Sequence, residues 1–181
     1  MAEKNLRQKL LENVAIMSTD KGHSETARGD DSPTGQPIIY INDAQYKGAA
    51  RDKMISAESL HLLKDVAPEL HSDLESTALA DPEYMDWAKR SYDIVTGNAP
   101  DPETGEYQPE DAIEKRPFDK WHNISRFDQV IGGYLYAQDE DLPTMKNWNR
   151  ENLSMGAELR GKLESFRELW ETPQKLGKPK K

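Results

Sequence analysis

Apolar residues along this chain fall on two periods, and most keep the helical one. Leu6, Leu10, Val14 and Met17 recur at three- and four-residue intervals, with Leu11 beside them, so the spacing predicts an amphipathic helix over residues 3–17. "PIIYIND", residues 37–43, is the one stretch whose β-branched and aromatic run predicts a strand. From Ala49 the helical period returns. Ala50, Met54, Ala57, Leu60, Leu63 and Ala67 form a stripe that ends at Pro68, which has no amide hydrogen to continue the helix. Leu70, Leu74 and Ala78 line the next helix. "DPEYMDW" then supplies Asp81 as N-cap, Pro82 at the first helical position and Glu83 near the positive helix end. Gly97 is placed to terminate that helix. Two more helices are predicted, over residues 124–138 and 155–171, the last through Met155, Leu159, Leu163, Phe166 and Trp170.

The segments between are polar. "STDKGHSETARGDDSPTGQP", residues 18–37, has no large apolar residue and reads as a flexible linker. A helix of about 15 residues is marginal alone in water. The first helix must therefore fold back, pair with a copy of itself or dock on another protein. Residues 98–117 read as a surface loop rich in proline and acid, and "TPQKLGKPKK" as a basic, frayed tail. Twelve of the 14 aromatic residues lie at or beyond Tyr84, which puts the expected core in the second half.

The expected fold is mainly α: a compact helical bundle of about five helices with one short N-terminal strand and a linker-tethered N-terminal helix. Its organisation would be an amphipathic helix (1–17), a flexible linker (18–37), a helical domain (38–172) and a disordered basic tail (173–181).

Charge and composition narrow the function classes. A net charge of -9 repels phosphate at long range, so direct nucleic-acid binding is not expected. The chain has no cysteine, which removes disulfides and thiolate zinc sites together and fits a cytosolic setting. No run approaches the roughly 20 apolar residues that cross a bilayer, so no membrane role is expected.

Candidate chemistry is sparse. "ESLH", residues 58–61, places Glu58 and His61 on one helical face, as in carboxylate-bridged metal bundles, but "ELH" around His71 has the wrong offset for a second such pair. No metal site is therefore expected. His122, with Asp119 and Asp128 nearby in sequence, is the candidate acid–base group of an enzyme reading. There is no nucleophile elbow, phosphate loop or dinucleotide fingerprint, and no cofactor is expected. "DPETGEYQPED" departs from the order of a calcium loop, and "RGD" at 28–30 lies in the linker. The acids at 101–111 and 139–141 read as solvated loops, with mimicry of DNA phosphates as the alternative. Gly132 and Gly133, each costing about 1 kcal/mol against alanine within a helix, are expected to form a tight helix crossing. Trp148 and Trp170 would cover it, and Tyr134, directly after the glycines, is a further structural residue.

Three phrases resemble a known group of proteins. "ARDKMISAESLHLLKDVAPEL", "DPEYMDWAKRSYD" and "RFDQVIGGYLYAQDEDLPTMKNWNRENL" are similar to helical modules inside large virion-associated bacteriophage polypeptides, over about residues 49–170. The resemblance implies a phage or prophage product and carries over no functional residue.

The functional expectation is thus a non-enzymatic phage protein acting through protein–protein interaction, as a virion-associated or injected component. It would be located in the virion or the host cytoplasm. Leu6, Leu10, Val14 and Met17 would anchor the N-terminal helix in a partner's groove, or in a second copy of the chain. The alternative is an acidic inhibitor of a host defence system that blocks a basic nucleic-acid site. The further alternative is a small acid/base enzyme using His122.

Overall fold

The computed structural model describes residues 4–107, 117–122, 127–136 and 153–173. Helix α1 covers Leu6–Leu10, and the strands β1, β2 and β3 cover Ala15–Ser18, Glu25–Ala27 and Ile38–Ile41. The helices α2 (Ala49–Ser59), α3 (Leu63–Val66), α4 (Pro68–Leu79) and α5 (Pro82–Val95) follow. Beyond residue 117 come α6 (Phe118–Trp121), α7 (Phe127–Tyr136) and α8 (Ala157–Glu171).

The fold is α+β and not the helical bundle that the periodicity predicts. β3 sits centrally in a three-stranded sheet of order β1-β3-β2, parallel to β1 and antiparallel to β2. The expected strand has two partners, and both come from segments read otherwise: β1 from the end of the N-terminal helix and β2 from the linker. The reason lies in backbone hydrogen bonding. Ile39 and Ile41 are fully buried, so β3 needs ladder partners for its amides and carbonyls.

The N-terminal helix is correspondingly short. Asn5 opens it with a capping box: its Oδ1 accepts from the Gln8 amide at 2.8 Å, and its own amide donates to Gln8 Oε1 at 2.9 Å. The helix ends after Leu10, and the chain turns into β1. Residues 3–17 therefore do not form one helix. Nor is α1 a tethered arm. Leu6 and Leu10 are buried in the main core with Leu60, Leu63, Phe127, Leu163 and Phe166.

The linker is also structured. Besides β2 it holds a short 3-10 turn at Gly29–Asp31, and Arg28 Nη1 donates to the His61 carbonyl at 2.9 Å. Asn42 Nδ2 donates to the Lys21 carbonyl at 2.7 Å, tying the β1–β2 connection to the end of β3.

Two apolar cores result among the described residues. The larger gathers α1 and the helices from α3 onward, with Tyr84, Phe127, Phe166 and Trp170 among its aromatic members. The smaller lies between the sheet and α2, from Ile39, Ile41, Tyr46, Met54 and Ile55. The candidate site lies where these two cores meet.

Candidate functional site

α2 does not run straight into α3. It tightens into a 3-10 turn at Leu60–Leu62, and Pro68 forces a second break before α4. These bends aim His61, on the 3-10 turn, and His71, on α4, at one point. Asp128, on the first turn of α7, occupies that point.

The Asp128 carboxylate bridges both rings. Its Oδ1 lies 3.0 Å from His71 Nε2 and its Oδ2 lies 3.3 Å from His61 Nδ1. Asp128 and His71 are buried, and His61 is about a quarter exposed. Glu58 stands on the other side of His61, with Oε2 3.9 Å from Nε2. Thr26, from β2, holds Glu58 in place. Its Oγ1 is 2.9 Å from Glu58 Oε2 and 3.0 Å from the Glu58 carbonyl, so its single proton serves one of them at a time.

A cavity of about 280 Å³ opens over this cluster. Glu58, His61, Asp128 and Ala57 line it from the helices, Gly22, His23 and Ser24 from the turn before β2, and Tyr46 and Gly132 from its flanks. The Ser24 hydroxyl is buried and has no hydrogen-bond partner among the described residues.

Burial and charge act in opposition here. Desolvation alone would raise the Asp128 carboxyl, but the hydrogen bonds from His61 and His71 and their charges outweigh it and lower it to about 2. Burial would lower His61, yet the Asp128 hydrogen bond and the Glu58 and Asp128 charges carry it above its ordinary value. For Glu58 desolvation wins over the neighbouring His61 charge and the Thr26 hydrogen bond, so its carboxyl is raised. The site thus holds an oriented imidazole that favours its proton and a carboxyl that resists losing one. Such a pair can hydrogen-bond a guest and pass a proton to or from it.

The His122 constellation does not form. His122 is fully buried, its Nε2 2.6 Å from the Tyr84 hydroxyl, and it packs on Phe118 and Phe127. Asp119 is exposed, and Asp128 belongs to the other histidines. The helical interval explains the split. Phe127 and Asp128 are consecutive, so they project about 100° apart on α7. Phe127 packs on His122 and on the edge of His71, while the Asp128 carboxylate turns to His61 and His71.

The predicted partner anchors are also dispersed. Leu6 and Leu10 are core residues, Val14 is half-buried against the smaller core, and Met17 is exposed on β1. The stripe is not available for a partner's groove or for a second copy, because four residues on one imagined helix belong to a helix, a turn and a strand.

Gly132 and Gly133 are buried in α7, and Gly132 borders the cavity beside Asp128. Tyr134 is packed under Arg167, whose guanidinium lies 4.7 Å from the ring centre, and its hydroxyl donates to Glu164. Trp170 Nε1 donates to the Tyr136 hydroxyl at 2.8 Å. Trp148 lies outside the described residues, as does the acidic stretch at 139–141.

Sequence reasoning noticed the Glu58–His61 spacing but missed Asp128 as its partner. No family model, no curated protein and no solved structure matches this chain. Among the described residues no group of three or more His, Asp or Glu side chains could hold a metal ion, and no helix is long and apolar enough to cross a membrane.

Proposed function

We propose that this is a bacteriophage protein that acts by binding another protein, as a virion-associated or injected component, and that its cavity receives a basic side chain of that partner. One observation carries the reading: Glu58 is a desolvated carboxyl whose ion-pair neighbour, His61, stands 3.9 Å away. A lysine or arginine entering the cavity would favour the ionised form of Glu58 and offer donors to the Ser24 hydroxyl, which has no partner among the described residues. The acidic chain favours approach of a basic partner. The same chemistry serves an inhibitor of a host defence protein, with the basic residue drawn from a nucleic-acid site.

The test is affinity capture from infected cells with the wild type and Glu58→Gln as paired baits, read by quantitative mass spectrometry. The partner is the protein that the wild type retains and the variant loses. Equal recovery of every protein by both baits overturns the reading. Mass spectrometry of purified particles then separates a virion component from a host-directed one.

A further inference from the structure

β1 forms one edge of the sheet, and its backbone is set to receive a further strand. The Ala15 amide donates to the Pro37 carbonyl at 3.0 Å, and the Thr19 amide donates to the Ile41 carbonyl at 2.9 Å. Alternate residues of a strand turn to opposite sides. Ile16 and Ser18 therefore point their amides and carbonyls to the outer edge, where no strand of the described residues pairs with them. Sheet edges are ordinarily guarded by charge, proline or a bulge. Residues 13–19 carry no charge and no proline, and the register with β3 runs without a break. The opposite edge, β2, is guarded: Glu25 pairs with Lys21, and Arg28 follows the strand.

β1 also exposes apolar side chains. Met17 is 50% exposed and Ile16 38%. By register Ile16 shares the face of Ile39, at the open rim of the smaller core, and Met17 shares the other face with Tyr40.

We infer that β1 pairs antiparallel with β1 of a second copy of this chain, about a two-fold axis at Met17. The outward-facing residues are symmetric about that position. In this register each Ile16 meets the partner's Ser18, and each such pair exchanges both backbone hydrogen bonds. The two Met17 side chains meet across the axis, and the two sheets join in the order β2-β3-β1-β1-β3-β2. Charge selects a copy over a basic strand, which would find no carboxylate along residues 13–19 to recognise. A chain of net charge -9 repels its own copy where acidic surfaces meet, and this edge is uncharged. Asp20 and Lys21 then fall opposite the partner's Val14 and Asn13, so no like charges face each other. The pairing uses neither Glu58 nor His61 and holds whatever the cavity receives.

Sedimentation equilibrium of the full chain and of Met17→Lys, over a concentration series at low and high salt, tests the pairing. The wild type should show a monomer–dimer equilibrium that tightens as salt screens the acidic bodies, whereas an ion-paired complex with a basic partner would loosen. Met17→Lys sets two ammonium groups against each other across the axis and should weaken association about tenfold. The chain has no cysteine, so an introduced thiol reports the geometry. Facing residues in such a non-hydrogen-bonded pair have Cα atoms about 4.5 Å apart, within the span of a disulfide. Met17→Cys should therefore cross-link under mild oxidation much faster than Tyr107→Cys, an exposed control. Circular dichroism checks that each variant folds, and the cysteine pair decides the matter if Met17→Lys does not. Self-pairing is overturned by a wild type that stays monomeric at every concentration, by a dimer that Met17→Lys leaves unchanged, or by equal cross-linking of the two cysteine variants. If a monomeric wild type retains a protein from infected cells that Met17→Lys loses, the edge serves that protein and not a second copy.

Discussion

The carboxylate of Asp128 lies 3.0 Å from His71 Nε2, inside the fold, with both side chains almost fully removed from solvent. It joins α7 to α4 across a sequence separation of 57 positions, and through His61 it reaches the end of α2 as well. One charged group therefore fixes three elements. Removing it would leave two imidazoles without their common acceptor, and Asp128→Ala is expected to cost about 3–5 kcal/mol in urea unfolding. A loss below 1 kcal/mol would show that the bridge contributes little.

Acid should weaken the same bridge. The Asp128 carboxyl titrates at about 2 in the folded state, below its ordinary value of 3.8. Its contribution is complete above the unfolded value and disappears as pH falls from about 4 through 2, amounting to about 2 kcal/mol. The slope of stability against pH in that range should be shallower in Asp128→Asn than in the wild type. Identical slopes would contradict the lowered value.

The alkaline side belongs to His61 and Glu58. His61 is raised, so its stabilisation is full below the unfolded value of 6.5 and is lost as pH rises through the folded value. Glu58 is also raised, chiefly by desolvation, so its cost to the fold grows as pH rises from the ordinary value of 4.5 and is complete above the folded value. Glu58→Gln keeps an oxygen for Thr26 and removes that burden. Its melting temperature at pH 8 should rise by a few degrees while guest binding falls, the usual opposition between stability and a functional site. A lower melting temperature would mean that Glu58 is a structural residue.

The N-terminal segment offers a test of a different kind. Leu10 is 1% exposed and packs among helices from both halves of the chain. Leu10→Ala should cost about 2–5 kcal/mol, and deleting residues 1–36 should abolish cooperative unfolding, because β3 loses both neighbours as well. A truncated chain that melts like the full one would contradict this packing.

How much of this was legible in the sequence depends on how far apart the partners are. α8 was legible because Leu159, Leu163, Phe166 and Trp170 keep one local period, and all four are buried. The sheet was not. β1 and β2 are four and three residues long, and Leu6, Leu10, Val14 and Met17 satisfy a helical period by coincidence of spacing. What decides their state is the unmet ladder of β3, more than ten residues away, and no local window contains it. The site divides the same way. Glu58 and His61 are three apart and were visible as a pair, whereas Asp128 is 67 positions from His61. Proximity in sequence drew Asp128 to His122 instead, and the turn of α7 separates those two.

A last prediction concerns how α5 and α8 are joined. Asp81 Oδ1 accepts the Tyr84 amide at 3.1 Å and so caps α5, while Oδ2 accepts the Gly156 amide at 2.6 Å at the start of α8. One side chain thus serves the positive ends of two helices. The sequence announced the first role and hid the second, which is 75 residues distant. Asp81→Ala should therefore cost more than a single cap, about 2–3 kcal/mol. Gly156 is at φ -74°, open to any residue, but a Cβ there would stand 3.0 Å from Asp81 Oδ2. Gly156→Ala is expected to push the carboxylate off the α8 amide and to destabilise by roughly 1 kcal/mol in the wild type, yet by much less when Asp81 is already alanine. Equal losses in the two backgrounds, measured by a double-mutant cycle, would place the effect of Gly156 elsewhere than at Asp81.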